Sequence, residues 1–218
     1  MENVRLHFVK INNAKYLSHL DTYRAIMRAI GRTDLNVWFT EGLNSHMFIS
    51  FPLPLSLGME STCEVADIKL LYPTDYVAER INAFLPEGIE VFNTTTPKMK
   101  TAQIAYAKYI IELDDLSVSQ KDLAEKLRTF MSKDEIMLKK TGKKGKETVF
   151  NAKDKIKDYY IDGSGKKLMM VIVCDAGPTS NLNPAAVIEA FSEDIGREID
   201  HISVRRIKIL TADMKEFE

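Results

Sequence analysis

Val4 to Ile11 alternates loosely between apolar and polar residues and runs into Asn12-Asn13, the pattern of a half-buried strand entering a turn. Ser18-His-Leu-Asp21 fits a capping box: the Ser18 hydroxyl can accept from the Asp21 amide while the Asp21 carboxylate reaches back to the Ser18 amide. A helix is predicted from there, with Leu20, Tyr23, Met27 and Ile30 as its apolar stripe and Gly31 at its end. His46 to Phe51 and Ser61 to Tyr72 read as strands joined by the proline-bearing Pro52–Gly58 loop. Thr74 or Asp75 can cap a second helix whose buried face is Val77, Ile81, Phe84 and Leu85. Pro86-Glu-Gly88 ends it, and Ile89 to Asn93 supplies a fourth strand. This β-α-β-β-α-β order predicts a ferredoxin-like unit.

After Thr94-Thr-Thr-Pro97 the pattern starts again. Ile104 to Leu113 reads as a strand, Ser119 with Asp122 as a second capping box, and Leu123, Leu127, Phe130 and Met131 as one helix face. Glu135–Lys140 and Glu147–Phe150 are short strand candidates around a Lys/Gly turn, and residues 151–165 fit either a helical turn or an irregular insert. Lys167 to Cys174 is a nearly continuous strand run. Asn183 precedes Pro184 at a helix start, Val187, Ile188, Phe191 and Ile195 form that helix's core face, and Ile202 to Leu210 closes the order. The expected fold class is α+β. Two tandem ferredoxin-like units with antiparallel sheets are expected over residues 1–96 and 97–218, the second carrying a basic Lys/Gly insert at 139–157. One continuous α+β domain with a shared sheet is the alternative.

Composition narrows the classes. With 45% hydrophobic and 28% charged residues, the 218-residue chain is ordinary globular material. Cys63 and Cys174 are far apart, so a disulfide framework, an iron–sulfur site and a cysteine zinc site have no support. No apolar run approaches the roughly 18 residues that span a bilayer, and a soluble cytoplasmic protein without a membrane partner is expected.

The net charge of −1 hides a local contrast. Lys139, Lys140, Lys143, Lys144, Lys146, Lys153, Lys155 and Lys157 crowd one segment in which Gly142 and Gly145 allow close backbone approach. Such lysines suit phosphate without reading bases; a solvated hairpin tip explains them equally. Arg24, Arg28 and Arg32 recur every fourth residue on the first helix and form one ridge. Three guanidiniums in line call for an anionic counterpart, either a phosphate backbone or carboxylates such as Glu60 or Glu64. Among the histidines, His19 at the cap reads as a structural hydrogen-bonder. His46 stands in Glu41-Gly-Leu-Asn-Ser-His46, a polar loop of the kind that holds exposed functional side chains, together with Gly42 and Asn44. No metal-spaced histidine motif and no phosphate-binding glycine loop occurs, so neither a metal nor a cofactor is expected.

Lys15-Tyr-Leu-Ser-His-Leu-Asp21, Glu41-Gly-Leu-Asn-Ser-His46, Phe51-Pro-Leu-Pro-Leu-Ser-Leu-Gly-Met-Glu-Ser61 and Gly177-Pro-Thr-Ser-Asn-Leu-Asn-Pro184 together resemble the successive blocks of the DUF2344 family, the radical SAM-linked proteins. The loop keeps Gly42, Asn44 and His46 and lacks the aromatic and prolines usual at that place. The resemblance implies a radical SAM protein as partner or an RNA-related role, and the RNA considered is tRNA or rRNA. It implies no reaction. Two cysteines cannot ligate a radical SAM cluster, so this chain would be the accessory. The expectation is a non-catalytic module that binds RNA or presents an RNA or ribosomal substrate. Arg24, Arg28, Arg32, Lys139, Lys140, Lys143, Lys144 and Lys146 would contact phosphates, and Gly42, Asn44 and His46 the substrate or partner. The competing expectations are a metal-independent endoribonuclease using His46 or His19, by fold analogy only, and an adaptor that binds protein alone.

Overall fold

The computed structural model describes residues 1–141 and 147–218, with backbone only for Lys140 and Thr141. It is a mixed α+β chain in two compact units, Met1–Ile104 with Lys215–Glu218, and Ala105–Met214. The boundary therefore lies past the expected cut at residue 96. Residues 97–104 stay with the first unit because their backbone is tied there: Met99 O accepts from Arg5 Nη2 at 3.0 Å, and Met99 N donates to Glu218 O at 2.8 Å.

In the first unit, β1 (Glu2–Lys10), α1 (His19–Ile30), β2 (Ile49–Ser50), β3 (Glu60–Leu70), α2 (Val77–Asn82) and β4 (Ile89–Thr95) follow one another, and the strands order as β4-β1-β3-β2. All three pairings are antiparallel. Register puts Leu6 opposite Ala66 and Val4 opposite Ile68, so the even-numbered residues of both strands share a face. That face packs on Ile26, Ala29 and Ile30 of α1 and on Val77 and Ile81 of α2.

The Ser18 cap forms, with Ser18 Oγ accepting from Asp21 N at 3.1 Å, but the Asp21 carboxylate accepts from the Ser18 hydroxyl at 2.7 Å rather than reaching the Ser18 amide. The buried stripe of α1 is Thr22, Ile26, Ala29 and Ile30, rotated from the expected one. Leu20 sits in the first turn and stays half exposed. α2 starts at Tyr76, which has a left-handed backbone (φ 59°) and no side-chain cap, in place of Thr74 or Asp75. With only six residues the helix ends before Phe84, which is exposed.

The second unit comprises β5 (Ile104–Asp114), α3 (Gln120–Met131), β6 (Met137–Thr141), β7 (Glu147–Asn151), β8 (Ile156–Asp162), β9 (Leu168–Asp175), α4 (Pro184–Asp194) and β10 (His201–Thr211). Its strands order as β10-β5-β9-β8, while β6 and β7 pair with each other. β8 occupies the segment left ambiguous between helix and insert. Lys157 to Tyr160 are exposed and Ile161 alone is buried there, so an edge strand formed without the apolar alternation that would have announced it. Ser119 caps α3 through Asp122 N at 3.2 Å, and Asn183 caps α4 through Ala185 N at 3.1 Å. Phe130 and Phe191 bring those helices together, with ring centroids 5.5 Å apart.

Gly88 marks the tightest approach in the first unit. Its φ is +85°, its carbonyl accepts from Ile11 N at 2.8 Å, and a Cβ there would lie 2.4 Å from Ile11 O and 2.9 Å from Ala14 Cβ. Gly88→Ala combines left-handed strain with overlap against backbone and is expected to cost about 2–4 kcal/mol in urea unfolding. A loss below about 0.5 kcal/mol would contradict this packing.

Candidate functional site

The chain between α1 and β3 builds an irregular hairpin on the edge of the first unit's sheet. Val37 bridges to Leu70, Trp38 N donates to Lys69 O at 2.8 Å, Phe48 N to Trp38 O at 3.1 Å, and Thr40 N to His46 O at 2.8 Å. Period-two alternation puts Val37, Met47 and Ile49 toward the helices, where all three join the core. Trp38, Thr40, His46 and Phe48 take the opposite face. Expected as a strand from His46 to Phe51, this segment is regular only at Ile49–Ser50, since the turn at its tip prevents a longer ladder.

At the tip, Glu41 to His46 is exposed and Gly42 has φ +116°, a conformation few other residues adopt. Yet His46 is held in place. Its Nδ1 lies 3.0 Å from Asn44 O and 3.1 Å from Thr40 Oγ1, and its amide donates to Thr40 Oγ1 at 3.1 Å. A carbonyl oxygen can only accept, so Nδ1 carries a proton, and in the neutral tautomer of that kind the lone pair is at Nε2. Gly42, Asn44 and His46 are thus brought together as one oriented loop.

Beyond the loop on the same face, Lys69 Nζ stands 4.8 Å from the Trp38 centroid and 4.8 Å from that of Phe48, whose rings are 6.0 Å apart. Farther along, Arg5 is fully buried and forms a two-point pair with Asp67 (Nε–Oδ1 2.7 Å, Nη2–Oδ2 2.8 Å) beneath the Phe217 ring at 4.3 Å. Trp38, Phe48 and Lys69 were absent from the sequence-based candidates. Their signal was the alternation of Val37-Trp-Phe-Thr40 and His46-Met-Phe-Ile49 around a glycine turn, which marks a hairpin with one aromatic face.

The remaining candidates lie elsewhere. Arg24 and Arg28 are exposed on α1, on the other side of the sheet from His46, whereas Arg32, expected on the same helix ridge, lies in the exposed turn past the helix end because α1 stops at Ile30. Arg24 pairs with Asp21 at 3.6 Å, whereas Glu60 and Glu64 are buried and Glu60 accepts from Asn12 N at 2.9 Å. Arg28 and Arg32 pair with no carboxylate among the described residues. His19 packs edge-on against Phe51 at 5.4 Å, on the helix side. The two histidines therefore cannot act on one substrate atom from these positions.

The basic segment divides. Lys153 Nζ donates to Met131 O at 2.7 Å, and Lys155 Nζ to Ser180 Oγ at 3.1 Å; Ser180 in turn donates to Asp175 at 2.6 Å. These two lysines anchor the fold. Lys139 and Lys157 are exposed. The Lys140 side chain, Lys143, Lys144 and Lys146 lie outside the described residues. A depression of about 620 Å³ at the end of α4 is lined by Glu189, Glu193 and Glu198 around Arg197, a setting that repels phosphate. Among the described residues no group of three or more His, Cys, Asp or Glu is placed to hold a metal ion.

A family model described as an uncharacterized protein conserved in bacteria (DUF2344) matches residues 3–184. The chain belongs to the DUF2344 family. No protein of curated function matches the sequence. A chain in the crystal structure of a Cbf5-Nop10-Gar1 complex superposes at a TM-score of 0.51 and 11% identity, covering 94% of this DUF2344 chain and 48% of that one. This chain thus spans about half the length of that relative, and the likeness is one of fold. An unknown protein from Galdieria sulphuraria aligns at a TM-score of 0.24 and 12% identity, over 94% of this chain and 98% of that one. No helix among the described residues is long and apolar enough to cross a membrane.

Burial holds His7 below its ordinary value of 6.5, helped by Arg5 and opposed by Asp67 and Glu218. Burial does the same to His19, opposed by Glu64 and helped by Lys10. Both rings are harder to protonate folded than unfolded. Their stabilisation is complete above about pH 6.5 and is lost as pH falls from there through the lowered folded values. The urea midpoint should drop between pH 7.5 and 5, and His7→Gln with His19→Gln should remove most of that drop. An unchanged profile in the double variant would assign the pH dependence to other groups.

Proposed function

We propose that this DUF2344 protein is a cytoplasmic, non-catalytic accessory module, built of two tandem ferredoxin-like units, that binds RNA or presents an RNA or ribosomal substrate to a separate radical SAM enzyme. The strand orders β4-β1-β3-β2 and β10-β5-β9-β8 support the tandem reading, because each follows the same connectivity around two helices. The radical SAM partner rests on the family resemblance. The solved chain of similar fold is part of a complex of three named components, in keeping with a chain of this fold working beside a separate partner.

The exposed Gly42–His46 loop is the observation that carries the binding role. His46 is oriented through Nδ1 and presents an acceptor at Nε2, and it shares a sheet face with the Lys69 ammonium. An oriented acceptor on the same face as a cation suits recognition of a hydroxyl or base N–H together with a phosphate. A paired acid and base made of the two histidines is not formed, because His19 lies across the sheet from His46. The exposed Arg28 and Arg32 provide a separate surface for phosphate.

Incubation of the purified chain with total cellular RNA, with and without divalent metal, tests this reading. No His46-dependent cleavage is expected, and His46→Ala should weaken binding by about 1 kcal/mol, the scale of one hydrogen bond. Cleavage that vanishes in His46→Ala would promote the endoribonuclease reading. Affinity should also fall steeply between about 50 and 200 mM salt. The joint replacement of Lys143, Lys144 and Lys146 by Ala should flatten that slope; an identical slope would remove these lysines from the interface.

A further inference from the structure

We propose that the hairpin face formed by Trp38 and Phe48 with Lys69 is a stacking platform for unpaired nucleobases, so that the RNA this chain takes is single-stranded where it meets the sheet. The inference rests on the RNA-binding reading and names the form of RNA that the same face recognises.

Trp38 and Phe48 are only partly buried, although both rings stand on a sheet face whose reverse is packed against helices. Antiparallel pairing holds them: Phe48 N donates to Trp38 O, and Trp38 N to Lys69 O. The platform is therefore set by backbone hydrogen bonds and needs little ordering when a ligand arrives. Lys69 Nζ lies over both rings, 4.8 Å from each centroid, and is attracted to both π faces, so its charge is held against the aromatic pair. On the same face Asp67 is taken up by Arg5, so Lys69 meets no neutralising carboxylate from that position.

Two aromatic rings inclined at 57°, with an ammonium held against both, offer a base a ring to stack on and its phosphate a cation close by. Stacking is available to bases only where they are unpaired, whereas in a duplex they are already stacked on one another. Thr40 and His46 continue the same face toward the loop tip, where the His46 ring, fixed through Nδ1, adds a hydrogen-bonding edge to that face. An apolar partner surface would bury the rings equally well, but it would have to desolvate the Lys69 ammonium and leave the His46 acceptor unmet.

Trp38 is the single tryptophan of the chain, so its fluorescence reports on this face alone. The full chain is titrated with an end-labelled 12-nucleotide single-stranded RNA and with a duplex of the same length, reading label anisotropy and Trp38 emission together. The expected result is tighter binding of the single strand, with quenching of Trp38 that saturates as the anisotropy does. Phe48→Leu and Trp38→Leu should each weaken binding by roughly 5- to 150-fold, while Trp38→Phe, which keeps a stacking ring and the fold, should stay within a few-fold of the parent chain. Single-strand binding without quenching, with both leucine variants binding like the parent, would overturn the platform and leave RNA binding standing. Preference for the duplex would also overturn it. Absence of binding to either RNA would overturn the RNA-binding reading, and this inference with it.

Discussion

The antiparallel register of β1 against β3 is the constraint on which the first unit depends. With Leu6 opposite Ala66, the even-numbered residues of both strands face the helices, and Arg5, Asp67 and Lys69 face the other way. A slip of one residue would send Lys69 and Asp67 into the core and Ile68 out of it. The Arg5–Asp67 pair adds specificity to that register. It is directional, its guanidinium is buried while Asp67 is half-buried, and among the described residues Nη1 has no hydrogen-bond partner. Such a pair contributes less net stability than its short contacts suggest, but a wrong register would leave both charges unpaired.

From that register the candidate site follows. Because Lys69 faces away from the helices, the strand carrying Trp38 beside it must do the same, and alternation then carries Phe48, Thr40 and His46 onto that face. The loop tip is exposed, yet its histidine is oriented by the backbone of Asn44 and the side chain of Thr40. Binding groups held this way lose little entropy when a ligand engages them. Arg24 and Arg28 of α1 lie on the reverse side.

The second unit repeats the connectivity with different emphasis. Lys153 and Lys155, which look like phosphate-binding lysines in sequence, spend their ammonium groups on Met131 O, Ser180 and Asn181 O. Lys155 thereby ties the start of β8 to the Gly177–Pro184 motif, whose Asn183 caps α4. The family-like block at that place consequently has a structural explanation, and Lys139 and Lys157 remain as the exposed lysines of the described part of the segment.

The order of strands and helices was legible in the sequence wherever burial imposed a period. α3 shows its full expected face, and Ser18, Ser119 and Asn183 cap as their local chemistry requires, because a cap involves only neighbours along the chain. The exposed loop could also be read from local spacing alone, as could Arg24 and Arg28, but the expected ridge stops short of Arg32 because α1 ends at Ile30. Tertiary structure decided the rest. β8 is an edge strand with few buried residues, α1 is rotated so that Thr22 and Ala29 are covered in place of Leu20, and Arg5, Lys10 and Glu64 are buried in strands where charge alone predicts exposure. The joining of Trp38, Phe48 and Lys69 required the pairing of segments some thirty residues apart, and pairing partners are chosen by the whole sheet, which no local pattern encodes.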